Sequence, residues 1–130
     1  MILLDTHVVL WSTLTPEKLS APALAEFQRA EASAGVIGIS AVSVYELANG
    51  MRRGRIQPAM APAIFVELIL TKFTIVPVSG IIARLAGELV DPFPGDPIDR
   101  LIAATALGEN CTLLTADSRI RAAGVCRTLW

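Results

Sequence analysis

The chain begins Met1-Ile2-Leu3-Leu4-Asp5-Thr6-His7, in which four apolar residues are followed at once by a carboxylate. A short continuous apolar run is typical of a buried strand. A charged side chain seldom stands beside such a run unless it is paired or binds a cation. The opening stretch therefore predicts a core strand that ends at Asp5, which either belongs to a functional site or caps the helix that follows.

The rest of the chain alternates between strand-like and helix-like segments. Short apolar runs predict strands at 1–4, 36–39, 73–78 and 111–114, with a possible fifth at 125–129. Helical patterns and their start and stop signals predict helices at about 6–14, 21–33, 41–53, 59–72, 79–90, 97–109 and 118–123. This alternation is typical of an α/β fold with three layers, in which helices cover both faces of a central parallel sheet of four to five strands. The ligand crevice of such a sheet lies at the carboxyl ends of its strands.

Four more acids stand near the same edge of the predicted sheet. Glu46 lies in the second turn of its helix, in a polar stripe with Ser43 and Asn49 that either makes a specific contact or faces solvent. Asp96 and Asp99 span the first turn of one helix, where Asp96 is expected to act as the N-cap before Pro97. A final acid, Asp117, follows the fourth strand directly. The sequence therefore predicts a carboxylate cluster built from positions far apart in the chain.

Length and composition set limits on the class of protein. The chain has 130 residues, of which 53% are hydrophobic and 18% charged, so we expect one globular domain over residues 1–130. No apolar run approaches a membrane span, and Asp5 interrupts the N-terminus too early for a secretory signal, so a cytoplasmic protein is expected. Cys111 and Cys126 stand in apolar runs and are expected to be buried thiols.

The net charge of −1 does not by itself indicate a nucleic-acid-binding protein. Nine of the eleven basic residues are arginine, whose guanidinium group suits contacts with phosphate. Arg52, Arg53 and Arg55 form a run that either contacts phosphate or is an ordinary solvated helix end.

A cluster of carboxylates would be unstable without a cation. Two carboxylates about 4 Å apart repel each other by roughly 4 kcal/mol at an effective dielectric constant near 20. Carboxylate oxygens favour Mg²⁺ or Mn²⁺, and the absence of a His/Cys cluster argues against zinc. A site of this kind activates water and stabilises charge on phosphorus, so phosphodiester hydrolysis is the expected reaction. His7, the single histidine, is expected to have a structural or supporting role.

Four motifs in order resemble those of the PIN-domain nucleases, and most of all the VapC toxins of bacterial and archaeal toxin–antitoxin pairs. They are Leu3-Leu4-Asp5-Thr6-His7, Ser43-Val44-Tyr45-Glu46-Leu47, Asp96-Pro97-Ile98-Asp99-Arg100-Leu101-Ile102-Ala103 and Leu114-Thr115-Ala116-Asp117. The resemblance covers the whole chain.

This resemblance implies magnesium-dependent cleavage of RNA, a homodimer and a small cognate antitoxin. It also implies catalytic and metal-binding roles for Asp5, Glu46, Asp99 and Asp117, with Asp5 and Asp99 as the direct metal ligands. Asp96, Thr6 and Ser43 are expected to support the site from outside this set of four.

Two other classes of function remain open from the residues alone. In a phosphotransfer protein Asp5 would accept phosphate. Such proteins use a paired Asp-x-Asp at the first strand or a lysine near the last, but here Val8 and Val9 follow His7, and neither Lys18 nor Lys72 lies in an acidic motif. In a non-catalytic binding module the acids would only cap helices or hold a structural ion.

Overall fold

Five strands and seven helices alternate along the chain in a computed structural model that describes all 130 residues. The strands are β1 (Ile2–Leu4), β2 (Ile37–Ser40), β3 (Thr74–Val76), β4 (Thr112–Leu114) and β5 (Thr128–Leu129). The helices are α1 (Thr6–Leu14), α2 (Ala21–Ala32), α3 (Ala41–Arg52), α4 (Pro62–Lys72), α5 (Gly80–Glu88), α6 (Pro97–Gly108) and α7 (Ser118–Ala123), and a single 3₁₀ turn covers Pro16–Lys18.

All five strands are parallel and form one sheet in the order β3-β2-β1-β4-β5. The central strand, β1, pairs with β2 and β4, so that Leu3 lies opposite Gly38 on one side and Leu113 on the other. The chain thus builds the sheet outward from β1 in two directions, and the order reverses between β1 and β4. The α/β fold predicted from the sequence is confirmed, and Asp5 follows β1 at the switch point, where a ligand crevice is expected.

Alternate residues of the sheet enter two separate cores. Leu4, Ile39 and Leu114 pack on one face with Val8 and other apolar residues, whereas Leu3 and Leu113 pack on the opposite face with Ile102 and its neighbours. Because successive side chains of a strand point to opposite faces, a sheet that is covered on both sides needs continuous apolar runs. Each fully buried Leu or Ile contributes roughly 1.5–3 kcal/mol, and these residues hold β1 rigidly at the centre.

Side-chain caps fix where several helices begin. Ser20 accepts a hydrogen bond from the amide of Ala23 at the start of α2, and Ser79 accepts one from Ile82 at the start of α5. The α4 helix begins at Pro62, three residues after the predicted start, because Pro62 takes the first helical position and the residue before a proline is disfavoured in the helical conformation. None of the helices is long and apolar enough to cross a membrane.

Candidate functional site

Asp5 lies at the carboxyl end of the central strand and is almost completely buried, with 5% of its surface exposed. Its backbone amide donates to the carbonyl of Leu114 (3.0 Å), and its Oδ1 accepts from the amide of Thr6 (2.7 Å) at the start of α1. Burial raises the pKa of Asp5, while a hydrogen bond from Thr115 and the nearby charge of His7 act in the opposite direction. The carboxylate is therefore held in a fixed position in surroundings that disfavour its charge.

The hydroxyl that supports Asp5 comes from Thr115, for which the sequence predicted no role. Thr115 is fully buried just beyond β4, and its Oγ1 donates to Asp5 Oδ2 at 2.6 Å. The same oxygen accepts from the backbone amide of Asp117 at 3.1 Å. One hydroxyl thus connects the acid after β1 with the acid after β4. A threonine between an apolar strand and an aspartate was the only signal in the sequence.

Asp99 stands in the first turn of α6, with 20% of its side chain exposed. Burial and then repulsion from Asp96, Asp5, Asp117 and Glu46 raise the pKa of Asp99 to about 6. This repulsion agrees with the position of these carboxylates at one edge of the sheet.

Asp117 is the N-cap of α7 and accepts from the amide of Arg119 at 2.8 Å. The Arg119 guanidinium folds back over this cap, with Nη2 2.8 Å from Asp117 Oδ2 and 3.8 Å from Asp99 Oδ2. Hydrogen bonding to Arg119 lowers the pKa of Asp117. A cation of the protein itself thus bridges two of the four acids.

Glu46 lines a cleft of about 440 Å³ beside these acids, together with Thr6, His7, Asn49 and Arg55. Ser43, one turn earlier on α3, is buried and accepts a hydrogen bond from Thr6 Oγ1 at 3.1 Å. The polar stripe of α3 therefore faces the cleft and the start of α1, and the Thr6–Ser43 contact fixes α3 against the helix that begins at Asp5.

The three arginines at the end of α3 differ in their positions. Arg55 lines the cleft that holds Glu46, whereas Arg52 donates to Asn49 Oδ1 at 2.8 Å and Arg53 is exposed. Of the three, Arg55 is best placed to meet a phosphate at the site.

Two residues close to the acids have structural contacts. Asp96 caps α6 by accepting from the amides of Ile98 (2.8 Å) and Asp99 (3.2 Å). Arg100 points away to the end of α5, where it donates to the carbonyls of Ala86 (3.0 Å), Gly87 (3.4 Å) and Leu89. Arg100 therefore closes a helix end and does not face the acids.

The donor atoms at the site are carboxylate and hydroxyl oxygens, which suit a hard divalent cation. No group of three or more Asp, Glu, His or Cys side chains forms a ready-made cluster around one point. The four acids are instead gathered within the range of mutual repulsion, and Arg119 already neutralises part of their charge. The residues fit a bound Mg²⁺ or Mn²⁺ in their chemistry, and their side chains must converge to ligate it.

Almost the whole chain is similar to known proteins. The family model described as "PIN domain" matches residues 2–125, a range that includes all four acids. Ribonuclease VapC22 of Mycobacterium tuberculosis (strain ATCC 25618 / H37Rv) is 35% identical over 120 residues, which cover 92% of this chain and 89% of the relative.

The solved structures that share the fold include two VapBC complexes. One is VapBC2 from Rickettsia felis bound to a DNA fragment from their promoter, with a TM-score of 0.74, 20% identity and coverage of 99% of this chain and 98% of that one. The other is DNA-bound VapBC from Salmonella typhimurium, with a TM-score of 0.75, 18% identity and coverage of 98% and 96%. The similarity of fold extends over almost the full length of both.

Proposed function

The chain belongs to the PIN domain family, among its VapC-type members, and from this premise we propose that it is a metal-dependent endoribonuclease that acts as the toxin of a toxin–antitoxin pair. The relative that shares 35% of its residues is named a ribonuclease. Hydrolysis of RNA phosphodiester bonds at the four acids is the reaction that their chemistry supports best.

The observation that carries the proposal is the gathering of acids at the carboxyl edge of the sheet. Arg119 Nη2 lies 2.8 Å from Asp117 Oδ2 and 3.8 Å from Asp99 Oδ2. Thr115 Oγ1 donates to Asp5 and accepts from the amide of Asp117. Burial, and then repulsion from Asp96, Asp5, Asp117 and Glu46, raise the pKa of Asp99 to about 6, in agreement with this arrangement. Helix caps that served only local structure would have no reason to converge from four separate segments onto one edge of the sheet. Repulsion of this kind costs stability unless a cation offsets it, so the arrangement supports a cation-binding site.

In this proposal Asp5 and Asp99 are the direct ligands of Mg²⁺, for which Mn²⁺ would substitute. The bound ion supplies a Lewis acid that activates water and stabilises charge developing on phosphorus. Thr6 and Thr115 hold Asp5 through its two oxygens, so this ligand is oriented before the ion arrives. Glu46 and Asp117 complete the site and hold water.

The substrate side of the site would be formed by the cleft. Arg55, which lines it with Glu46, would contact an RNA phosphate, and Arg52 and Arg53 would contact phosphates farther along the strand. The choice of RNA would depend on the shape and charge of this surface.

The proposed biological setting follows the solved structures of similar fold, which are VapBC complexes. We propose a small antitoxin as the partner of this chain, a homodimer as its assembled form and the cytoplasm, where RNA is available, as its location.

The test of the proposal is RNA cleavage by the purified chain with Mg²⁺, Mn²⁺ or EDTA. We expect cleavage with either metal, none in EDTA, and a loss of at least about a hundredfold in Asp5→Asn and Asp99→Asn, which remove charges that touch the reacting centre. Asp91→Asn, in an exposed turn, is the matched control and should cleave normally. Full activity in both site variants would overturn the assignment, and RNA binding without any cleavage would favour a binding module.

A further inference from the structure

Arg119 has an unusual position for an exposed residue at a helix start. Its side chain is 67% exposed, yet the guanidinium turns back onto the acids. Its Nη2 lies 2.8 Å from Asp117 Oδ2 and 3.8 Å from Asp99 Oδ2, and its Nε donates to Asp117 Oδ1 at 3.3 Å. A guanidinium has five N–H donors, and these contacts use only some of them. The group therefore presents free donors to solvent at the edge of the site.

A divalent cation and Arg119 would compete for the same oxygens. A cation that binds Asp99 removes the negative charge that attracts the guanidinium and adds a repulsive positive charge. Arg119 would then leave Asp99, but its place in the first turn of α7 keeps it within a side-chain length of the site.

RNA needs a basic group at this point. The chain has a net charge of −1, and four acids surround the reacting centre, so an approaching phosphate would be repelled. A guanidinium released beside the metal offers a planar pair of donors that matches the oxygens of a phosphate. Arg55 lies across the cleft with Glu46 and does not contact Asp99 or Asp117 in this arrangement.

We propose that Arg119 is a phosphate-binding residue for the RNA substrate, held over Asp117 and Asp99 until a divalent cation replaces it there. This inference rests on the proposed function and adds a substrate-binding group to it. The exchange makes RNA binding through Arg119 depend on metal, which an ordinary surface arginine would not do.

Arg121 provides a matched control within the same helix. It is also exposed, and its Nη2 reaches only the carbonyl of Ala116 at 3.5 Å. A substitution of Arg121 removes the same charge from α7 without touching the acids.

The experiment measures binding of a short fluorescent single-stranded RNA of mixed sequence in a Glu46→Gln background. The ion pairs of Arg119 are with Asp117 and Asp99 and not with Glu46. We expect Glu46→Gln to stop cleavage, so that RNA binding can be measured by itself. Arg119→Gln, Arg119→Lys and Arg121→Gln are titrated with Mn²⁺ and with EDTA over a series of salt concentrations.

We expect Arg119→Gln to weaken RNA binding in Mn²⁺ about tenfold. The slope of the logarithm of the binding constant against the logarithm of salt concentration should become shallower by about 0.7, the value for one phosphate contact on a single strand. In EDTA the same substitution should change the affinity less than about twofold, because the guanidinium is then engaged by the acids. Arg119→Lys should retain the salt dependence as a point charge but lose part of the affinity.

Unchanged affinity and salt dependence of Arg119→Gln in Mn²⁺, or an equal loss in Arg121→Gln, would each overturn the inference. If Arg119 served only to cap α7, Arg119→Gln would lower the stability of the protein without altering the salt dependence of RNA binding. Absence of RNA cleavage by the parent protein would instead count against the proposed function, so the two failures are distinguishable.

Discussion

Replacing Asp99 with asparagine should stabilise the metal-free protein at neutral pH, although it removes an acid that we assign to the active site. The pKa of Asp99 rises from 3.8 to about 6 on folding, because burial and neighbouring carboxylates disfavour its charge. The folded state thus binds a proton more tightly than the unfolded state, and stability falls as the pH rises from about 4 to above 6. At pH 7.5 the charged Asp99 lowers the free energy of unfolding by its full amount, and asparagine removes this cost.

The size of the gain follows from this shift. A rise from 3.8 to about 6 corresponds to about 3 kcal/mol before solvent is considered. Asp99 is partly accessible to solvent, which reduces the cost to about 1–2 kcal/mol. Loss of its favourable interaction with the start of α6 takes back about 0.5 kcal/mol. The net gain is about 1 kcal/mol, or about 4 °C in Tm for a chain of this size.

The assay is urea and thermal denaturation of the parent and Asp99→Asn in EDTA at pH 7.5 and 4.5. The gain in the free energy of unfolding should shrink to about a third at pH 4.5, because Asp99 of the folded parent is already protonated there. Asp96→Asn is the control, since asparagine keeps the helix cap and removes only a neighbouring charge, so its gain should be smaller. A variant that is less stable than the parent at pH 7.5, or equally stabilised at both pH values, would refute the reasoning.

Three further substitutions or modifications test other contacts of the structure. Thr115→Val should destabilise the protein by about 1.5–3 kcal/mol in urea denaturation, because the buried Asp5 loses a hydrogen bond to its charged form, whereas Thr115→Ser should restore most of the stability; equal losses in both would rule out the hydroxyl as the cause. Arg100→Met should cost about 2 kcal/mol in the same assay, since three carbonyls at the end of α5 lose their donor, and a neutral effect would contradict this role. Burial raises the pKa of Cys126 to about 11. Alkylation of this thiol by iodoacetamide at pH 8, followed by mass spectrometry, should therefore be about a hundredfold slower than alkylation of a free thiol. Rapid labelling in the folded protein would be inconsistent with this.

The sequence predicted most of the fold because its local signals agree with one another. Apolar runs of three or four residues can be buried on both faces only in a parallel sheet, and the serine, proline and glycine residues between them mark helix ends. The predicted strand and helix positions match the observed elements to within one or two residues at most ends, apart from the start of α4, a shorter β3, and a β5 that covers only Thr128–Leu129 where 125–129 was predicted. Those differences arise at segment ends, where a proline or the last ladder hydrogen bond decides the boundary.

The four acids were also visible in the sequence, but their mutual arrangement was not. A carboxylate after a strand or in the first turn of a helix reports only its local position. The distances among Asp5, Glu46, Asp99 and Asp117 are set by the strand order and by the packing of the helices, and Asp117 comes close to Asp5 because β4 lies beside β1.

By itself, the sequence determined the α/β fold, the positions of the acids and the motifs of the PIN domain family, because these follow from periodicity and short spacings. Only the tertiary structure decided which side chains meet. It brought Thr115 to Asp5 across 110 positions of sequence, turned Arg119 back onto Asp117 and Asp99, and directed Arg100 to a helix end. Such contacts join segments through the packing of the sheet, and no local pattern encodes the direction in which an arginine or a threonine side chain points.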